Sequence, residues 1–270
     1  MDFNTTATQI RKSIVEMLHH SQSGHPGGSL SAVDILNYLY FKEMNIDPKS
    51  DKNPSRDRFV LSKGHAAPVL YATLAERGYF DKKLLPTLRK LDSPLQGHPD
   101  SKRVPGVDVS TGSLGQGISN AVGLAMGAKL DGTPTRVYTM LGDGELQEGL
   151  VWEAVMAAAH YQLDNLVVIV DNNGLQIDGK NEDVINLGSI TAKFESFNFN
   201  VIEIDGHDYE QIAKAFADAR QTKGAPTVII AKTVKGSGIS FMENQASWHG
   251  VAPNAEQLAM ALAELSKEVK

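Results

Sequence analysis

The chain has 270 residues, 41% of them hydrophobic, no cysteine, 8 histidines and a formal net charge of -6, an ordinary composition for a globular core. Absence of cysteine excludes disulfides, thiolate metal sites and a thiol nucleophile, and a pI near 5.8 without a basic cluster argues against nucleic acid as the main partner. No apolar run approaches the ~20 residues that span a bilayer, and the polar N-terminus has no signal-peptide core, so no membrane partner and a cytoplasmic location are expected.

In chain order, Ile10, Ile14, Val15, Met17 and Leu18 fall at helical spacing between Thr5 and Ser21. Gly24-His25-Pro26-Gly27-Gly28 then reads as a loop. Ser31 and Asp34 have capping-box spacing and open a helix to Phe41, after which Asp47-Pro48 and Asn53-Pro54 mark a surface connection. A short strand from Arg58 to Leu61 runs straight into Ser62-Lys63-Gly64-His65, and a helix follows from Ala67 to Arg77, stopped by Gly78. Residues 94–105 are irregular and carry Gln96-Gly97-His98-Pro99. Gly112 and Leu114 lie in the next glycine-rich stretch, and the small residues from Ile118 to Lys129 predict a tightly packed helix.

The most informative stretch is Gly142-Asp143-Gly144. Arg136 to Leu141 before it is apolar and β-favouring, and Leu150 to Tyr161 after it is an alanine-rich helix. Two glycines let a ligand approach the backbone, and the following helix N-terminus would favour an anion. A carboxylate beside a phosphate repels it unless a cation stands between, and magnesium commonly takes one or two carboxylates plus phosphate oxygens and water. Further oxygens are at hand downstream, where the strand Asn165 to Asp171 ends in Asn172-Asn173-Gly174-Leu175. Ligands of open α/β sheets bind at that edge.

Strands at Asn200 to Ile204 and Pro226 to Ala231 alternate with helices at Tyr209 to Arg220 and Asn254 to Leu265. The alternation predicts an α/β fold, a mostly parallel sheet with helices on both faces, as one domain over residues 1–270. Lys235 and Gly236 precede a glycine-hinged loop from Met242 to Pro253, carrying Trp248-His249-Gly250, which could close over a ligand.

Four histidines, His25, His65, His98 and His249, sit in Gly or Pro contexts on loops; His19, His20, His160 and His207 do not stand out this way. A lone loop histidine is usually just solvated. Four in similar contexts favour proton chemistry near neutrality. A zinc site is disfavoured by the lack of cysteines and of a His-x-x-x-His pair on a helix.

These motifs resemble the N-terminal, diphosphate-binding half of transketolase: Ser23 to Gly27, Ser62 to His65, Gln96 to Pro99, Thr111 to Gly117, the Gly-Asp-Gly turn and Asp171 to Asn173. The resemblance implies thiamine diphosphate as cofactor, with Mg2+, or Ca2+ or Mn2+, held by Asp143, Asn173 and the Leu175 carbonyl. It implies that Gly144, His65 and Lys235 contact the diphosphate, Gly112 and Leu114 the aminopyrimidine, and Ile177 the thiazolium. His25 and His249 would handle the proton of the donor's C3 hydroxyl and His98 would hold its C1 hydroxyl; His65 counts among the catalytic histidines too. The implied reaction moves a two-carbon ketol unit from a ketose phosphate to an aldose phosphate, with the thiazolium as electron sink.

A whole transketolase also has a pyrimidine-binding domain, with the glutamate that activates the cofactor, and a C-terminal domain. This sequence stops at Lys270, so the resemblance is to the N-terminal subunit of a split enzyme. It is expected to be inactive alone and to need a C-terminal transketolase subunit, in an α2β2 assembly, with Glu148 and Glu153 at the subunit contact. Where some members carry a further histidine before the last loop histidine, this chain has Gln245-Ala246-Ser247. Alternatives are a deoxyxylulose-phosphate-synthase-like chain, a 2-oxo-acid dehydrogenase α-type subunit, and a non-catalytic protein that binds thiamine diphosphate.

Overall fold

A computed structural model describes residues 2–267. In chain order it contains α1 (Phe3–Ser21), α2 (Pro26–Leu30), α3 (Val33–Tyr38), β1 (Arg58–Leu61), α4 (Ala67–Arg77), α5 (Gln116–Leu130), β2 (Val137–Gly142), α6 (Gly149–His160) and β3 (Leu166–Asn172). There follow a two-strand hairpin of β4 (Leu175–Gln176) and β5 (Gly179–Lys180), then α7 (Asn181–Val184), α8 (Ile190–Ser196), β6 (Asn200–Asp205), α9 (Tyr209–Gln221), β7 (Thr227–Lys232) and α10 (Ala255–Leu265).

The five main strands form one parallel sheet in the order β1-β2-β3-β7-β6. Both its faces are buried, which is why β2, β3 and β7 read as continuous apolar runs rather than as alternation. Successive side chains go to opposite cores. Tyr138, Met140, Val167, Ile169 and Ile229 pack with α1, α3, α4, α9 and α10, while Val137, Leu141, Val168, Val170 and Val228 pack with α5 and α6. The mostly parallel sheet with helices on both faces is therefore present.

Two local expectations are corrected. The loop around His25 continues directly into α2, because Pro26 presets the first helical position. The capping box at Ser31 and Asp34 does not form: α3 has no side-chain cap, since the Ser31 hydroxyl donates to Asp171 at 2.6 Å and Asp34 accepts from Arg11 at 2.6 Å. Both side chains are recruited by partners far away in sequence. Among the described residues no helix is long and apolar enough to cross a membrane.

Candidate functional site

Four strands deliver their C-terminal ends to one place. β1 leads to Lys63 and His65, β2 to Asp143 and Gly144, β3 to Asn173 and Leu175, and β7 to Lys235. A cavity of about 260 Å³ opens there, and His25, Gly112, Leu114, Ile177 and His249 complete its walls together with these residues. Every residue singled out in the sequence for catalysis, cofactor or metal lines this cavity except His98, while Glu148 and Glu153, expected at a subunit contact, lie outside it. His98 lies in an adjoining open depression, yet it packs against Gly112, where an added Cβ would sit 3.0 Å from the imidazole.

The loops are pressed together closely enough to require glycine. A Cβ on Gly64 would fall 2.7 Å from the Gly112 amide nitrogen, and Thr111 Oγ1 donates to the Leu61 carbonyl at 2.7 Å. Glu145, which no sequence motif singles out, fastens three loops: it accepts from the Ser62 hydroxyl, from Gly115 N–H at 2.9 Å and from Gly142 N–H at 3.1 Å. Burial pushes its carboxyl up.

The cradle differs from expectation in one respect. α6 starts at Gly149, within a residue of expectation, but a 3-10 turn, Gly144–Gln147, separates it from the Gly-Asp-Gly turn and leaves it outside the cavity lining. The anion-favouring element is therefore not the α6 N-terminus. Positive charge comes instead from Lys63 and Lys235, both buried. Lys63 donates to Asp171 and, at 2.6 Å, to the Gly28 carbonyl.

Asp171 lies fully buried and also accepts from Ser31 and Thr233. Burial would raise its carboxyl, but Lys63 and these donors outweigh it and hold the pKa low. Asp143 has no ion-pair partner among the described residues. Its oxygens accept from Gly144 N–H and Gly174 N–H, and burial followed by repulsion from Asp171 pushes it up to about 6. Lys235 is lowered to about 8, first by burial and then against the pull of Asp143 by the Lys63 charge. Its Nζ lies 3.2 Å from the Leu175 carbonyl and 2.9 Å from His249 Nδ1.

Three imidazoles cluster beside the lysines, with ring centroids 5.2 Å apart for His25 and His65 and 5.4 Å for His25 and His249. Burial, reinforced by neighbouring positive charge, lowers His25 to about 4, His249 to about 3 and His65 well below its ordinary value. All three are neutral at pH 7, and His98 is lowered too, by burial and by Arg89. The Nδ1 of His25 is buried without a hydrogen-bond partner among the described residues, an orphaned polar atom of the kind a ligand satisfies.

Residues 3–268 match the family model described as the thiamine diphosphate binding domain of transketolase. The chain belongs to the transketolase family. It is 42% identical over 260 residues, 96% of this chain and 92% of the relative, to a protein from Phocaeicola vulgatus named as one of the subunits of an apulose-4-phosphate transketolase. A 6-deoxy-6-sulfo-D-fructose transketolase subunit from a Clostridium species is 43% identical over 99% of this chain and 98% of its own length. The solved transketolase from Leishmania mexicana superposes with a TM-score of 0.93 at 34% identity. The match covers 98% of this chain and 41% of that one, so this transketolase-family chain spans about two fifths of that protein's length.

Sequence reasoning missed Lys63, Glu145 and Asp171 as site residues. Lys63 and Asp171 stand inside motifs that drew notice for His65 and Asn173. Only the long-range contacts reveal them.

Proposed function

We propose that this chain is the diphosphate-side subunit of a split transketolase, a single domain that works in the cytoplasm with a second subunit carrying the pyrimidine-binding domain. The observation that supports it best is the gathering of Asp143, Asn173, the Leu175 carbonyl, Lys235 and three neutral histidines in one cavity. The apulose-4-phosphate relative is named as one lettered subunit of its enzyme, which itself implies a second. On α6, Glu153, Met156 and His160 are exposed at helical spacing, a face suited to a subunit contact in an α2β2 assembly. Glu148, just before α6, is exposed as well.

The donor set fits a hard divalent ion: one carboxylate, one amide oxygen and one main-chain carbonyl, leaving room for phosphate oxygens and water. Asp143, Asn173 and Leu175 would hold Mg2+, with Ca2+ or Mn2+ able to substitute, and Gly144, His65 and Lys235 would face the diphosphate. The backbone at Gly112 and Leu114 would meet the aminopyrimidine, and the exposed Ile177 would cover the thiazolium. When bound, the thiazolium supplies the electron sink. His25 and His249, neutral before any anion arrives, are able to take the proton of a donor C3 hydroxyl, and an adjacent diphosphate raises their basicity. His98, at the mouth, would hold the C1 hydroxyl of a ketose phosphate donor, and an aldose phosphate would accept the two-carbon unit.

A coupled assay of aldose release from xylulose 5-phosphate, with magnesium and cofactor and with or without the candidate partner, tests this reading. Turnover is expected only with both chains present. Robust turnover by this chain alone would show that the activating carboxylate lies here.

A further inference from the structure

Lys235 enters the cavity from a loop between β7 and the turn Ala246–Trp248. Its flexible four-carbon stem does not by itself fix where the ammonium sits. The loop is instead fastened residue by residue. Thr233 donates to Asp171, Val234 N–H to His207 Nε2 at 2.9 Å, and Gly236 N–H to the Gly27 carbonyl at 3.0 Å. The Ser237 carbonyl accepts from Arg11 Nε at 3.2 Å. The His207 contact holds the peptide next to Lys235.

His207 follows β6, the neighbour of β7 in the sheet. Gly206 permits the approach: its N–H donates to the Lys232 carbonyl at 2.8 Å, and a Cβ there would lie 2.5 Å from the Thr233 methyl. A ring nitrogen that accepts from an N–H carries no proton, so the bond to Val234 selects the tautomer protonated on Nδ1. That Nδ1–H donates to Asp34 at 2.7 Å. Asp34 is fixed in turn by two Arg11 nitrogens at 3.1 and 2.6 Å and by the Tyr209 hydroxyl at 3.1 Å. Burial would raise its carboxyl, but Arg11 beside it outweighs burial and holds it at about 2. Asp34 is therefore a permanent acceptor for His207.

None of Arg11, Asp34 and His207 lines the cavity. We propose that His207, oriented by Asp34, is a positioning residue that fixes Lys235 beside the Leu175 carbonyl and His249. Its consequence for cofactor affinity rests on the function proposed above; its anchoring of the loop does not.

The substitution His207→Asn can place its amide nitrogen where Nδ1 meets Asp34, but its short side chain leaves no acceptor at the Nε2 position that Val234 meets, whereas the longer His207→Gln can carry its carbonyl there. In the full chain without cofactor, amide hydrogen exchange at Val234 is expected to quicken ~10-fold or more in the Asn variant and to stay near wild type in the Gln variant. In the assembled complex with magnesium, the calorimetric Kd for thiamine diphosphate is expected to weaken ~10-fold in the Asn variant and recover with Gln. In a Lys235→Ala background the Asn substitution is expected to add little, because both changes remove one interaction. Should the Asn variant melt below assay temperature, His207→Leu takes its place with the same expectations. Unchanged exchange at Val234, or losses from His207→Asn and Lys235→Ala that simply add, would overturn the proposal. A wild-type complex that binds no cofactor would instead remove the proposed function, and exchange would still decide the anchoring.

Discussion

At the N-terminal end of β1, Arg56 and Arg58 share Asp108, at 2.7 and 3.2 Å, and Arg56 also reaches Asp51 at 3.1 Å. Asp57 there accepts from the N–H groups of Asn45 and Arg136, both at 2.8 Å. At the opposite end of the same strand, Lys63 is paired with Asp171, but Asp143 and Lys235 are buried without an ion-pair partner among the described residues. In the first cluster both arginines are matched by carboxylates, and Asp108 holds Arg56 above its ordinary pKa against burial, while Asp57 is held by backbone N–H groups and burial pushes it up. In the second, the unpaired carboxylate and ammonium both shift toward their neutral forms, to about 6 and about 8. Leaving them apart keeps a place between them for a charged ligand, the pattern that marks functional sites more often than structural ones.

The sharpest way to break the contrast is to remove one carboxylate from each end. Asp143→Ala is expected to abolish magnesium-dependent binding of thiamine diphosphate in the assembled complex while leaving the cofactor-free chain as stable as before. Asp108→Ala removes the carboxylate that two guanidinium groups share and leaves the buried Arg56 with Asp51 alone, and is expected to cost about 3 kcal/mol of stability with cofactor affinity intact. Calorimetry and thermal melting of both variants check this. Unchanged affinity in the presence of EDTA would sink the metal half.

A second test stays within the C-terminal edge and separates residues that face the cofactor from those that face the sugar. His98→Ala and His249→Ala are each expected to lower turnover by ~100-fold or more with the partner present, while cofactor affinity is largely spared. Near wild-type turnover in both would return them to ordinary loop histidines.

The smallest effect is pH-dependent. The Asp143 pKa is raised from 3.8 to about 6, so between those values the folded chain keeps a proton that the unfolded chain has lost, and stability from this group falls as pH rises through the window. Metal binding needs the carboxylate and expels that proton. The thermal shift produced by magnesium and thiamine diphosphate should therefore be larger at pH 7 than at pH 5, by about a few degrees. His25 and His249 act oppositely, since depressed imidazoles cost stability as pH falls below 6.5. With the cofactor present throughout, the difference made by magnesium isolates the metal site from these histidines, and an equal shift at both pH values would contradict the assignment of Asp143.

Features legible in the sequence were those that depend on local pattern. β1 and α4 fall where the apolar runs and Gly78 place them, and β2, β3 and β7 lie within a residue of expectation, because strands buried on both faces leave an unmistakable apolar signature. The hairpin of β4 and β5 escaped notice: two residues per strand carry no periodicity. α6 starts within a residue of expectation, but the 3-10 turn that sets it back from the cavity was hidden, since such a turn uses the same residues as a helix start. Site residues carried by a motif were found. Glu145 and Asp171 were not, because their roles lie in contacts to Ser62 and Lys63, separated from them by 83 and 108 positions. His207 did not stand out among the histidines, and only the proximity of β6 and β7 gives it a task.

The parallel sheet has a consequence for how the chain reaches its native state. Arg58 lies opposite Val137, and Val167 opposite Thr227, so no two paired strands of the main sheet are joined by a short turn. Closing such long loops precedes any reward from pairing, which makes folding slow relative to that of a helical bundle of similar size. During synthesis the His25 and Lys63 segments leave the ribosome well before β7 and Lys235 exist to meet them. A nascent chain paused before residue 227 would expose the apolar flank of β3 along its full length, a surface on which a chaperone, or another unfinished copy, can settle.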